Sequence, residues 1–190
     1  MKILDFVRHG LSQDLVHDIR SRPDTPLVDR GREQVRSTGI AMRRQGVRYD
    51  VILSSPLPRA LETAEIIASQ VSYDADNILT DPELVERDWG EYSGKSNEWI
   101  YAQIGREPSA FDALPGVETL EELQARAARV FNRTKTRNEG RILIVGHGQF
   151  ARALRCHVKG QRPTTTNFHG ARGFRTGELL RVYPDQHQDT

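Results

Sequence analysis

Short apolar runs alternate along this chain with longer stretches in which apolar residues recur every three or four positions. Residues 2–8 are rich in large and β-branched side chains and predict a strand that stops at Arg8-His9-Gly10. Residues 11–30 are polar and contain Pro23 and Pro26, which reads as a loop. Residues 30–45 carry a helical pattern ending near Gly46. Tyr49-Asp50-Val51-Ile52-Leu53 predicts a second strand, closed by Ser54-Ser55-Pro56. A helix follows from about Pro58, with Leu61, Ala64, Ala68 and Val71 on one face. Ile78-Leu79 begins a third strand, and residues 84–116 look irregular apart from a short helix around 96–104.

Thr119-Leu120-Glu121-Glu122 has the form of a capping box. Leu120, Leu123, Ala127, Val130 and Phe131 supply the buried stripe of the helix it opens, and Asn138-Glu139-Gly140 ends it. Arg141-Ile142-Leu143-Ile144-Val145 is apolar on both faces, as a central strand covered by helices must be. Gly146-His147-Gly148 follows, then a helix over about 149–158. Leu179–Tyr183 reads as a last edge strand, and the tail after Pro184 as loose. Strands alternating with helices predict an α/β fold, a three-layer α/β/α sandwich around a mostly parallel sheet. The length suits one domain over 1–190, with an insert at about 87–116 over the active rim.

Composition narrows the function. Lys plus Arg is 27 and Asp plus Glu is 26, so the net charge of +1 offers no bulk basic surface for nucleic acid. Lys2, Lys95, Lys135 and Lys159 are the lysines; the arginine excess suits phosphate contacts, and a base-composition bias would produce it equally well. The single cysteine, Cys156, excludes an intramolecular disulfide and metal sites built on several cysteines; its helical setting reads as packing. The first residues are too short and too soon charged for a signal peptide, and no apolar run approaches the roughly 20 residues of a membrane span. The expectation is a cytoplasmic protein with no membrane partner.

Two strands end in His-Gly. Ligands of open α/β sheets bind beyond the carboxyl ends of the strands, so His9 and His147 belong on one rim. Gly10 would allow a turn and close approach of a ligand to backbone N–H groups, and Arg8 offers a fork of donors for phosphate oxygens. Arg59 falls at the start of a helix, where a cation is unhelpful unless an anion binds between it and the helix end.

In order, Phe6-Val7-Arg8-His9-Gly10, Leu53–Ala60 with Thr63-Ala64, Leu84-Val85-Glu86-Arg87-Asp88-Trp89-Gly90-Glu91-Tyr92-Ser93-Gly94, Pro115-Gly116-Val117-Glu118-Thr119 and Val145-Gly146-His147-Gly148 resemble the histidine phosphatase superfamily, with its phosphoglycerate-mutase-like fold. The resemblance implies His9 as the nucleophile that becomes phosphohistidine. It implies Arg8, Arg59 and His147 as binders of the phosphoryl oxygens, with Ser12 and Gly148 as further substrate contacts, and Glu86 as proton donor to the leaving oxygen. It implies a small phosphorylated substrate, no cofactor and no metal, because positioned cations stabilise the charge of a phosphoryl group in flight.

Departures bear on the branch. Leu11 and Leu15 stand where mutases commonly carry polar residues, Glu62 where many members have Gln, and Gln149 where many have Gly. Phosphate hydrolysis is the expectation, with a mutase of the same fold and a non-catalytic phosphate-binding module as competitors. Other readings stay open. Asp88 or Glu91 is an alternative acid. His17 with Asp14 and Asp18 is either a metal site or a solvated loop. Trp89, Tyr92 and Trp99 line the substrate mouth or pack the insert. Arg20 and Arg22 contact a second anionic group or lie in solvent.

Overall fold

A computed structural model describes residues 2–106, 108–165, 168 and 173–182. Tyr183 and the tail lie outside them. The strands are β1 (Ile3–Arg8), β2 (Val51–Ser54), β3 (Leu79–Thr80), β4 (Arg141–Gly146) and β5 (Leu179–Val182). They form one sheet in the order β3-β2-β4-β1-β5, parallel except for β5, which runs antiparallel to β1 along one edge. The helices are α1 (Gln13–Val16), α2 (Asp29–Arg44), α3 (Pro58–Val71), α4 (Asn97–Ile104), α5 (Pro108–Asp112), α6 (Leu120–Thr136) and α7 (Gly148–Val158).

The period of two along each strand sorts its side chains into two cores. Leu4, Phe6, Leu53, Ile142 and Ile144 pack with α6 and α7, through Leu123, Ala127, Phe150 and Leu154. Val7, Ile52, Leu143 and Val145 pack on the other face with α2 and α3, through Val35, Ala64 and Ile67. This is the three-layer α/β/α arrangement that the strand pattern predicts. The capping box of α6 is made in both directions, and Cys156 is buried among apolar neighbours. Asp5, fully buried in β1, accepts hydrogen bonds from Tyr49, Arg141 and Arg181.

Two stretches differ from expectation. Residues 11–30 are a built structure, because the Asp14 carboxylate accepts from the Arg22 backbone N–H (2.8 Å) and from its guanidinium (2.7 Å). Burial alone would raise the Asp14 pKa; the Arg22 bonds outweigh it and hold the carboxyl at about 2. That pairing replaces the metal reading with His17. The 84–116 stretch contains α5 besides α4 and, together with Val117, forms its own apolar cluster through Trp89, Ile100, Phe111 and Leu114. Trp89 and Tyr92 pack in this cluster, whereas Trp99 is exposed beneath the Lys95 ammonium. Among the described residues no helix is long and apolar enough to cross a membrane.

Candidate active site

Adjacent parallel strands bring together whatever follows their carboxyl ends. β1 pairs with β4 so that Arg8 lies opposite Gly146, and the His9 N–H donates to the Gly146 carbonyl at 2.9 Å. The imidazoles of His9 and His147 therefore meet, with ring centroids 5.1 Å apart. β2, on the other flank of β4, adds Ser55 at its end and Arg59 in the first turn of α3.

His9 is 2% exposed and its Nδ1 lies 2.7 Å from the Gly10 carbonyl oxygen. A carbonyl only accepts, so Nδ1 carries the proton and Nε2 keeps its lone pair. Burial, then the charges of Arg8 and Arg59, hold the His9 pKa well below its ordinary value. His147 is lowered the same way, by burial first, then by Arg59, His9 and Arg8. Its Nε2 lies 2.8 Å from Ser55 Oγ. The Leu57 N–H donates to the same oxygen at 3.3 Å, and a Ser55 hydroxyl that donates to Nε2 puts the ring proton on Nδ1, the tautomer in which His147 can donate to an anion.

Arg8 donates to the Phe174 carbonyl at 2.7 Å and Arg59 to the carbonyls of Arg22 (2.9 Å) and Pro23 (3.3 Å). Among the described residues Arg8 Nε, Arg59 Nε and His147 Nδ1 are buried with no protein partner. These are donors of the kind a multi-oxygen anion satisfies.

Both imidazoles are neutral in the fold yet protonate near pH 6.5 once unfolded, so the unfolded chain binds more protons below that pH. Stability is then fully present above about pH 6.5 and falls on acidification by up to about 1.4 kcal/mol per pH unit for each histidine. Melting followed from pH 7 to 5 should show this decline, and His147→Asn should roughly halve its slope, His9 supplying the rest; a flat wild-type profile contradicts buried neutral rings.

Glu86 reaches the same rim from a different direction. Its Oε1 accepts from the N–H groups of Arg87 (3.0 Å), Gln149 (3.1 Å) and Phe150 (3.3 Å), the last two in the first turn of α7. Arg126 of α6 holds the backbone that presents it, donating to the carbonyls of Glu83, Val85 and Glu86 while paired with Glu118. A cavity of about 170 Å³ opens beside it, lined among others by Arg8, Glu86, Gly148, Gln149, Arg20 and Arg152. His9, Arg59 and His147 are buried and do not line it.

Gly10 acts otherwise than its sequence setting suggests. The Gly10 N–H is taken by Thr63 Oγ1 at 3.1 Å, so it does not face a ligand. A Cβ there would lie 2.6 Å from the Gly31 carbonyl oxygen, which makes close packing on α2 the reason for this glycine. A Cβ on Gly148 would stand 3.1 Å from both Cζ and Nε of Arg8. Gly148→Ala should therefore displace the Arg8 guanidinium and raise KM for phosphoesters about tenfold or more. Melting temperature should hold, since alanine favours a helical first turn over glycine by about 1 kcal/mol. An unchanged KM would show that Arg8 does not need its present position.

Ser12 is fully buried, its backbone pairs with Leu27, and no hydrogen bond links its hydroxyl to the other site residues among those described. Sequence reasoning missed Ser55 and Thr63 as positioning groups. Ser55 stands at a strand's carboxyl end, where the rim rule would find it. Thr63 lies four residues after Arg59, one helical turn away, and donates to the Arg59 carbonyl at 2.7 Å. Of the two open arginines, Arg22 is exposed and paired with Asp14, whereas Arg20 lines the cavity.

The model of the histidine phosphatase superfamily (branch 1) matches residues 4–176. The chain belongs to that superfamily. A 2,3-bisphosphoglycerate-dependent phosphoglycerate mutase of Methylobacterium radiotolerans is 30% identical over 163 residues, covering 80% of this chain and 77% of that protein. Among solved structures, a mycobacterial glucosyl-3-phosphoglycerate phosphatase superimposes with a TM-score of 0.82 at 21% identity, over 96% of this chain and 93% of that one. The alpha-ribazole phosphatase of Shigella flexneri does so with a TM-score of 0.79 at 25% identity, over 95% and 90%.

Proposed function

We propose that this protein hydrolyses a small phosphomonoester through a phosphohistidine on His9, without a metal ion. One observation carries the reading: a buried imidazole whose Nδ1 proton is held by the Gly10 carbonyl and whose pKa is depressed by burial and by two flanking guanidiniums. Such a ring is neutral at pH 7 and presents Nε2 as a nucleophile. Nε2 attacks phosphorus, the N–P bond forms, and the P–O bond to the leaving group breaks. Glu86 gives its proton to the departing oxygen. Its carboxylate then takes a proton from water, which attacks phosphorus and releases inorganic phosphate and free His9. Arg8, Arg59 and His147 hold the equatorial oxygens, where the charge develops.

A mutase is the second reading, favoured by the names of the similar sequences. Against it, Leu15 lines the cavity and offers no hydrogen bond to a migrating group. The two separate in one assay. With 3-phosphoglycerate and a bisphosphoglycerate primer, phosphate release at a rate unchanged by EDTA is expected. Accumulation of 2-phosphoglycerate without phosphate release would overturn the hydrolase reading.

A further inference from the structure

Of the five sequence motifs, Pro115-Gly116-Val117-Glu118-Thr119 sends no residue into the cavity beside Gly148. Its Glu118 pairs instead with Arg126 of α6, and both side chains are largely buried. The pair is aimed at the segment that carries Glu86. A guanidinium has five N–H groups, and five bonds use those of Arg126. Nε and Nη2 donate to the two oxygens of the Glu118 carboxylate, at 2.9 and 2.7 Å. Nη1 donates to the Glu83 and Val85 carbonyls, both at 2.8 Å, and Nη2 to the Glu86 carbonyl at 3.3 Å. Glu118 holds the next two residues. Its Oε2 accepts from the Asp88 N–H at 3.2 Å, its N–H donates to the Asp88 carbonyl at 2.9 Å, and its carbonyl accepts from Arg87 Nε at 2.7 Å.

The segment has little else to fix its main chain. β3 stops at Thr80, and its ladder with β2 stops there too, so no strand pairing reaches residues 83–88. Glu86 also stands between two spaces. The 170 Å³ cavity and a second one of about 610 Å³, lined by Val85, Asp88, Val117 and Arg126 among others, share Glu86 and no other described residue. A backbone with room on two sides is placed by its tethers. Proton transfer needs that placement, because the acid must lie within hydrogen-bond reach of the departing oxygen, and a misplacement of about 1 Å can cost about 10²-fold in rate.

We propose that Glu118 and Arg126 are positioning residues for proton transfer, fixing the 83–88 main chain so that the Glu86 carboxyl meets the leaving oxygen. The proposal rests on the reading of Glu86 as the proton donor.

The test uses two substitutions that change hydrogen bonding more than bulk. Arg126→Lys keeps the charge but carries three N–H groups on one nitrogen, which cannot serve three carbonyls and a carboxylate together. Glu118→Gln keeps its main-chain bonds to Arg87 and Asp88 and gives up the ion pair. Each should lower kcat on glycerol 3-phosphate about 10–100-fold with KM little changed. Each should leave p-nitrophenyl phosphate, whose phenolate departs without a proton, nearly untouched. In a Glu86→Gln background neither should lower the rate further, since no proton is left to position. A pair that serves only the fold would lower the melting temperature with no dependence on the leaving group. Equal losses on both esters, no loss on either, or a further loss on top of Glu86→Gln therefore overturns the proposal. Either variant reads the pair if the other fails to fold; failure of both marks a fold determinant and overturns it as well. Glu86→Gln by itself tells two failures apart. A leaving-group dependence there that Arg126→Lys and Glu118→Gln lack removes the positioning role alone. Its absence there removes the acid and the positioning role together, as does a wild type that hydrolyses neither ester.

Discussion

His9→Ala should lower kcat about 10⁴-fold or more, and the protein should no longer take up radiolabelled phosphate from substrate. The expectation follows from how little could replace the ring. Its Nε2 is the lone pair left free by the bond from Nδ1 to Gly10, and burial with Arg8 and Arg59 keeps it unprotonated near neutrality. His147 is 5.1 Å away, but its Nε2 is engaged by Ser55. The substitution leaves Arg8, Arg59 and Glu86 in place, so substrate binding should survive while turnover does not. Wild-type label should be acid-labile and stable to base, as a phosphoramidate is. A His9→Ala protein that folds and keeps most of its rate would end the covalent mechanism.

Much of this was readable beforehand, and the reason is local. The strands advertise themselves through apolar runs, and the rim rule needs only their order to put His9 beside His147. What the sequence hid is set by contacts between distant segments. Asp14 and Arg22 look like solvated loop residues until the loop closes on itself. Gly10 looks like a ligand contact, yet Gly31 and Thr63, far along the chain, decide what it does. Arg20 is the sharpest case. Nothing in its own neighbourhood distinguishes it from Arg22, and only the folding of the 84–116 stretch, which supplies Trp89 and Phe111, half-buries it.

Glu86→Gln should separate acid catalysis from architecture. Its N–H contacts centre on Oε1: Arg87 and Phe150 donate there, and Gln149 lies closer to Oε1 (3.1 Å) than to Oε2 (3.4 Å). A glutamine carbonyl can keep these bonds, with the amide nitrogen taking the place of Oε2, so the Arg126-held segment should stay in place. What is lost is the proton. An alkyl phosphate must expel a strongly basic alkoxide and needs that proton in the transition state, whereas p-nitrophenyl phosphate expels a phenolate that departs unaided. The variant should therefore lose about 10²–10⁴-fold on glycerol 3-phosphate and far less on the aryl ester. Asp88 and Glu91, the rival acids, are exposed, and Asp88 already accepts from Gly90 N–H at 2.8 Å; Asp88→Asn and Glu91→Gln should show no such dependence on the leaving group. Equal losses on both esters in Glu86→Gln would mean that this carboxylate positions α7 and that the proton comes from elsewhere.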